Sequence, residues 1–112
     1  MVLRYTVIVS PRVTAKLAQQ GQYIAEQSTR AIAERYIGGL FDYFDGLDTF
    51  AERGHPRPDL LPGLQVVGYH AANIAFVVER PHVYVVGVYF GGESYDSELA
   101  AIDIDAIKRG AN

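Results

Sequence analysis

The stretch Arg57-Pro58-Asp59-Leu60-Leu61-Pro62-Gly63-Leu64, together with the residues from there to Asp96, decides the fold. Its Pro and Gly residues punctuate a loop, and behind that loop residues 64–69, 73–79 and 83–90 are three apolar runs rich in β-branched side chains. They are joined only through His70-Ala71-Ala72 and Arg80-Pro81-His82. Connections this short cannot make a parallel crossover, so the three runs are predicted to be antiparallel neighbours. The third run is apolar at every position, which predicts a central strand with helices over one face and a different cover over the other.

Upstream, residues 4–10 are β-branched and stop at Pro11, the pattern of a first strand. Ser10-Pro11 then marks a helix start, with Ser10 placed to cap free amides and Pro11 at the first helical position, where its missing N–H is harmless. Val13, Leu17 and Ile24 share one helical face to about Glu26 or Gln27, with Gly21 weakening the helix. Ser28 or Thr29 caps a second helix striped by Ala33, Ile37, Leu40, Phe44 and Leu47. A turn this short predicts an antiparallel helical hairpin. Gly38-Gly39 inside the second helix is read as room for a neighbouring backbone, with a hinge as the alternative.

Residues 51–62 are read as an extended loop. Past Tyr95, residues 97–107 have weak helical character from Leu99 and Ile102, and residues 108–112 are expected to fray. The expected architecture is α+β: an N-terminal strand, an antiparallel helical hairpin, then a three-strand antiparallel meander completing one sheet. One domain spans 1–112, with 100–112 a weakly structured C-terminal tail. The expected core is Val7, Val9, Leu17, Ile24, Ile37, Leu40, Phe44, Phe76, Val86 and Val88.

Composition bounds the function. With 49% hydrophobic and 21% charged residues the chain is a globular protein and not a disordered one. It has no cysteine, which removes disulfide and thiolate chemistry. The start has no signal-peptide layout and no apolar run approaches the ~20 residues of a membrane span, so a soluble, cytoplasmic protein is expected. A net charge of -3 removes the electrostatic case for a general nucleic-acid binder.

The residues that could carry chemistry are sparse. His55, His70 and His82 lack the spacing of a metal site. Glu93 and Asp96 near a strand end read as solvated carboxylates, and Gly91-Gly92 lacks the spacing and the Lys of a phosphate loop. No catalytic residue, metal or cofactor is assigned. The eight tyrosines are more informative, because tyrosine brings large contact area with a polar tip. Strict alternation on the last strand puts Tyr84, Val86, Val88 and Phe90 on one face and Val83, Val85, Gly87 and Tyr89 on the other. Both faces are apolar, so one is read as a partner surface, drawn on Tyr69, Tyr84, Tyr89, Phe90, Gly91, Glu93 and Tyr95. The alternative is closure by the protein's own C-terminal segment.

The order of strand, helical hairpin, loop of the form R-P-x-L-x-P-G-L and meander ending at a glycine resembles the RelE/ParE toxins over residues 5–99. Local matches are Pro62-Gly63-Leu64 and the end of the last strand. There the family usually runs into His-Gly-Arg-Arg-Asp, whereas this chain has Phe90-Gly91-Gly92-Glu93-Ser94, and Gln65 stands where the family frequently has arginine. The resemblance implies one of two activities. RelE-like members cleave ribosome-bound message, a reaction whose transition state needs cations. Between residues 58 and 107 the only Lys or Arg is Arg80, against Asp59, Glu93, Asp96, Glu98, Asp103 and Asp105. ParE-like members bind and poison DNA gyrase and need no catalytic residues. The resemblance thus implies a ParE-like toxin acting by protein binding, with a cognate antitoxin and DNA gyrase as partners and no direct specific nucleic-acid binding. A RelE-like endoribonuclease, or an attenuated member that only binds its antitoxin, is the alternative.

Overall fold

A computed structural model describes residues 4–49 and 51–110. Strand β1 (Thr6–Val9) leads into helix α1 (Pro11–Gln27), and a two-residue turn leads to α2 (Arg30–Asp45) and a 3-10 turn at Gly46–Asp48. Then come β2 (His55–Pro56), β3 (Leu64–Tyr69), β4 (Ala72–Glu79), β5 (His82–Phe90) and two short helices, α3 (Asp96–Ala100) and α4 (Ile104–Lys108). The five strands form one sheet in the order β1-β5-β4-β3-β2. β1 runs parallel to β5, and the remaining pairs are antiparallel. The α+β architecture with its helical hairpin and meander is as expected, and β5 lies inside the sheet between β1 and β4.

The helix ends follow from local chemistry. Thr29 caps α2, its Oγ1 accepting from the Ile32 N–H at 3.1 Å. Ser10 occupies the cap position of α1, but its side chain makes no capping bond there. It is fully buried, its N–H donating to the Val85 carbonyl, so the residue continues the sheet edge before the helix begins. The loop over 51–62 carries a fifth strand that the sequence pattern does not announce. Gln65 explains it: the buried amide oxygen accepts from the Gly54 N–H at 2.9 Å and draws His55 and Pro56 alongside β3.

Each face of the sheet has its own core. On the first, Leu17 of α1 and Leu40 and Phe44 of α2 pack on Ile74, Phe76, Val83, Val85 and Val88. Each of these large side chains stabilises by roughly 1.5–3 kcal/mol on burial. On the second, Leu64, Ala75, Val77, Tyr84, Val86 and Tyr89 are closed over by Leu99 and Ile107. Of the expected core, Val7, Val9 and Ile37 are only partly buried, and Ile24 is half-buried at the hairpin's rim.

Two expectations are corrected here. Alternation on β5 does not hold along its length, because a β-bulge shifts the register: Phe76 pairs with Val85 and Ala75 with Gly87, leaving Val86 as the extra residue. Beyond it the phase inverts. Val88 and Phe90 face the helical hairpin with Val83 and Val85, while Tyr89 joins Tyr84 and Val86 on the other face. Gly87 is required at this point, since a Cβ there would collide with the Tyr89 ring and hydroxyl. The 100–112 stretch is also no loose tail: α4 lies in it, and Ala106 and Ile107 are buried. Its apolar residues close the second face, and residues 111–112 lie outside the described residues.

Candidate partner-binding surfaces

The apolar surface left by these two cores lies on and beside the helical hairpin. Small residues Ala18, Gly21 and Ala25 of α1 face Ala33 and Gly38 of α2, and with Leu17, Ile37 and Phe41 they line an apolar groove of about 500 Å³. The adjoining Gly39 makes room for a different neighbour from the one expected. A Cβ there would stand 2.5 Å from the Tyr69 hydroxyl oxygen, so the glycine admits a tyrosine and not another backbone. Around the hairpin's flank, Gln20, Ile24, Ile32, Tyr36, His70, Ala71, Phe90 and Gly91 line a second apolar cleft of about 330 Å³. Ile32 is 47% exposed and Tyr23 57% exposed, which makes them the large apolar side chains most open to a partner among the described residues.

Two of the cleft's lining residues, Tyr36 and Phe90, belong to an aromatic run between α2 and the sheet. Tyr43 and Tyr69 lie 5.1 Å apart between ring centroids, Tyr69 and Tyr36 6.5 Å, and Tyr36 and Phe90 6.3 Å. The Tyr36 hydroxyl donates to the His70 carbonyl at 2.7 Å. Burial, and then the neighbouring Tyr69, hold the Tyr36 hydroxyl above the ordinary tyrosine pKa. The wall is strained: His70 and Ala71 form the β3–β4 turn with φ of 35° and 67°, a conformation costly for residues with a Cβ. Tyr36 on one carbonyl and the Gly91 N–H on the other, at 3.3 Å, hold the turn in place.

The expected partner residues therefore divide. Tyr69 and Phe90 belong to the aromatic run, and Phe90 and Gly91 line the cleft. Tyr84 and Tyr89 do not form an exposed surface, being 5% and 1% exposed in the second core, because the bulge turns Tyr89 under α3. Tyr95 stacks on Tyr89 with ring centroids 5.0 Å apart. Glu93 is exposed and closes the end of β5, one carboxylate oxygen accepting from the Phe90 N–H at 2.8 Å and the other from Lys16 Nζ at 2.9 Å. Lys16 first, and then the Phe90 amide, hold the Glu93 carboxyl below the usual carboxylate range.

The hairpin groove is easily missed in the sequence because its small residues read only as helix formers. Their recurrence at 18, 21 and 25 is the available signal. Among the described residues no group of three potential metal ligands occurs, and no helix is long and apolar enough to cross a membrane.

No family model matches the chain, and no curated protein matches it significantly. Its fold does have a solved counterpart. A chain of the "Chromosomal ParDE TA system from P. aeruginosa" aligns over 79% of this chain and 97% of its own length, with a TM-score of 0.66 and 13% identity. The likeness is one of fold, and it is the RelE/ParE-type fold that the order of elements resembles.

Proposed function

We propose that this chain is the toxin of a toxin–antitoxin pair, ParE-like in acting through protein binding, with DNA gyrase as its target and a cognate antitoxin as its neutralising partner. The likeness in fold to a chain of a ParDE system carries this reading. The surface chemistry supports it: beside a charged cavity lined by Arg12, Lys16 and Glu98, the open features include an apolar groove and an apolar cleft, the type of surface that an amphipathic protein segment covers. In this reading Tyr69, Phe90 and Gly91 contact the antitoxin beside Tyr23 and Ile32, while Tyr84 and Tyr89 contribute only if α3 and α4 move.

The endoribonuclease reading draws on one observation. Arg12, Lys16 and Arg57 come to the rim of the second face from distant positions, but each is already paired with a carboxylate. Three cations against the four carboxylates Asp59, Glu93, Asp96 and Glu98 leave the rim without the net positive charge that would draw a phosphate there. Purified protein is expected to inhibit gyrase supercoiling or to promote gyrase-dependent DNA breaks, and to leave ribosome-bound message intact in a parallel assay. Codon-specific cleavage with gyrase untouched would reverse the two readings. Inactivity in both, with tight antitoxin binding retained, would identify an attenuated toxin.

A further inference from the structure

The charges of α2 run against the helix that carries them. Arg30 opens its first turn, and Asp42 and Asp45 lie in its last. Cations thus stand at the positive end of the macrodipole and carboxylates at the negative end, where each costs stability instead of adding it. None of Arg30, Glu34, Arg35, Asp42 and Asp45 has an ion pair or a side-chain hydrogen bond, and elsewhere among the described charged residues that holds only for Asp105 and Arg109. The antiparallel neighbour α1 does not answer them. Its Arg12 and Lys16 are turned to Glu98 and Glu93, and its Glu26 accepts from Gln22. Arg30 and Glu34 line the hairpin groove together with Leu17, Ile37 and Phe41, and Asp42 follows directly on Phe41. Gly38, also in that lining, is exposed, and a Cβ there would meet no atom within 4 Å, so the groove is open to close approach at the middle of α2.

We propose that the hairpin groove is a self-association surface, on which a second copy of this chain lays its own α2 antiparallel across a two-fold axis. The order of the charges selects this occupant. An antiparallel copy sets Arg30 and Arg35 of each chain against Asp42 and Asp45 of the other, and a two-fold axis makes the match twice. It also opposes the two helix dipoles, so that each copy's carboxylates come to the positive end of the other's helix. A parallel copy would bring like charges together at both ends. With 16 residues, α2 is about 24 Å long, which keeps the contact at the small end of specific interfaces. Association through exposed charges around a short apolar groove is therefore reversible and weakened by salt. This pairing does not depend on the toxin reading.

Sedimentation equilibrium of the full chain is expected to show a monomer–dimer equilibrium between about 1 µM and about 1 mM, weakened about tenfold on going from about 50 mM to about 500 mM salt. Two double variants each reverse one half of α2. Arg30→Glu with Arg35→Glu makes the helix acidic throughout, and Asp42→Lys with Asp45→Lys leaves Glu34 as its one acid. Both reversals set the charges in the favourable sense for the dipole, so melting temperatures should hold or rise. Each variant alone is expected to stay monomeric over that range. An equimolar mixture of the two is expected to regain the dimer, because acidic and basic α2 helices then face each other along their whole length. Gly38→Gln separates association from folding: the helix gains by losing a glycine, while the side chain standing in the groove should weaken the dimer about tenfold or more. A monomer at every concentration, a dimer that either double variant leaves intact, a mixture that stays monomeric, or a dimer indifferent to Gly38→Gln would each overturn the proposal. Neither gyrase nor an antitoxin enters these measurements, so failure of the toxin reading leaves them unaffected.

Discussion

The two faces of the sheet are closed in different ways. The helical hairpin covers one with two long helices, supplying Leu17, Leu40 and Phe44 as fully buried anchors. The C-terminal segment covers the other with two five-residue helices, a few apolar plugs and a ring of ion pairs. Helices that short gain little from their own propensity and hold only by what they dock against. The same strand thus carries one face closed by apolar burial alone and another closed by apolar burial and charge together. What separates them is how the attachment is divided between apolar burial and charge.

The comparison breaks most visibly at its strongest anchor. Phe44→Ala should cost about 3–5 kcal/mol in a denaturant titration, with one cooperative loss of both helices and sheet. Leu99→Ala should cost less, about 2 kcal/mol, because the segment can detach before the sheet unfolds and so limits the loss. Equal losses with equal cooperativity would abolish the distinction. A smaller effect of opposite sign is expected at the strained turn, where His70→Asn with Ala71→Gly supplies residues that tolerate positive φ. It should stabilise by about 1 kcal/mol in the same titration. Tyr89→Phe removes a buried hydroxyl that lies beside the Glu98 carboxylate without a well-formed hydrogen bond, and should leave stability unchanged or raise it by up to about 1 kcal/mol. A clear loss would mean that the hydroxyl is satisfied in solution.

The finest effect is in pH. Lys16 and the Phe90 amide lower the Glu93 pKa in the folded state, so the carboxylate contributes stability above its unfolded value of ~4.3. That contribution is lost as pH falls through the folded value. Exchange at residues 93–100 should therefore rise below about pH 4 ahead of that in α1, and Glu93→Gln should reduce that pH dependence.

The meander and the hairpin are legible because their signals are local. Turn residues at 70–71 and 80–81 separate β-branched runs, and Thr29 and Pro11 mark helix starts within a few positions of what they control. The bulge is not legible, since Val86-Gly87-Val88 reads as unbroken apolar strand and only the pairing with Ala75 and Phe76 shows which residue is extra. Nor is the cationic rim. Arg12 and Lys16 stand 86 and 77 positions from Glu98 and Glu93, and counting charges along 58–107 cannot find them. The C-terminal cover reads as a loose tail because five-residue helices carry too little periodicity to stand out.

The bulge at Val86 makes β5 behave like two reading frames joined end to end. Up to Val85 the odd-numbered residues look at the hairpin, and from Val88 the even-numbered ones do. Changing one side chain disturbs one face locally. Deleting Val86, by contrast, would restore regular pairing and leave Val88, Tyr89 and Phe90 on the faces they now hold, because the bulge already absorbs the phase of the extra residue. Shortening β5 by this one residue should therefore cost the second core the Val86 side chain, whereas removing one of its regularly paired residues would shift the register of the strand beyond it.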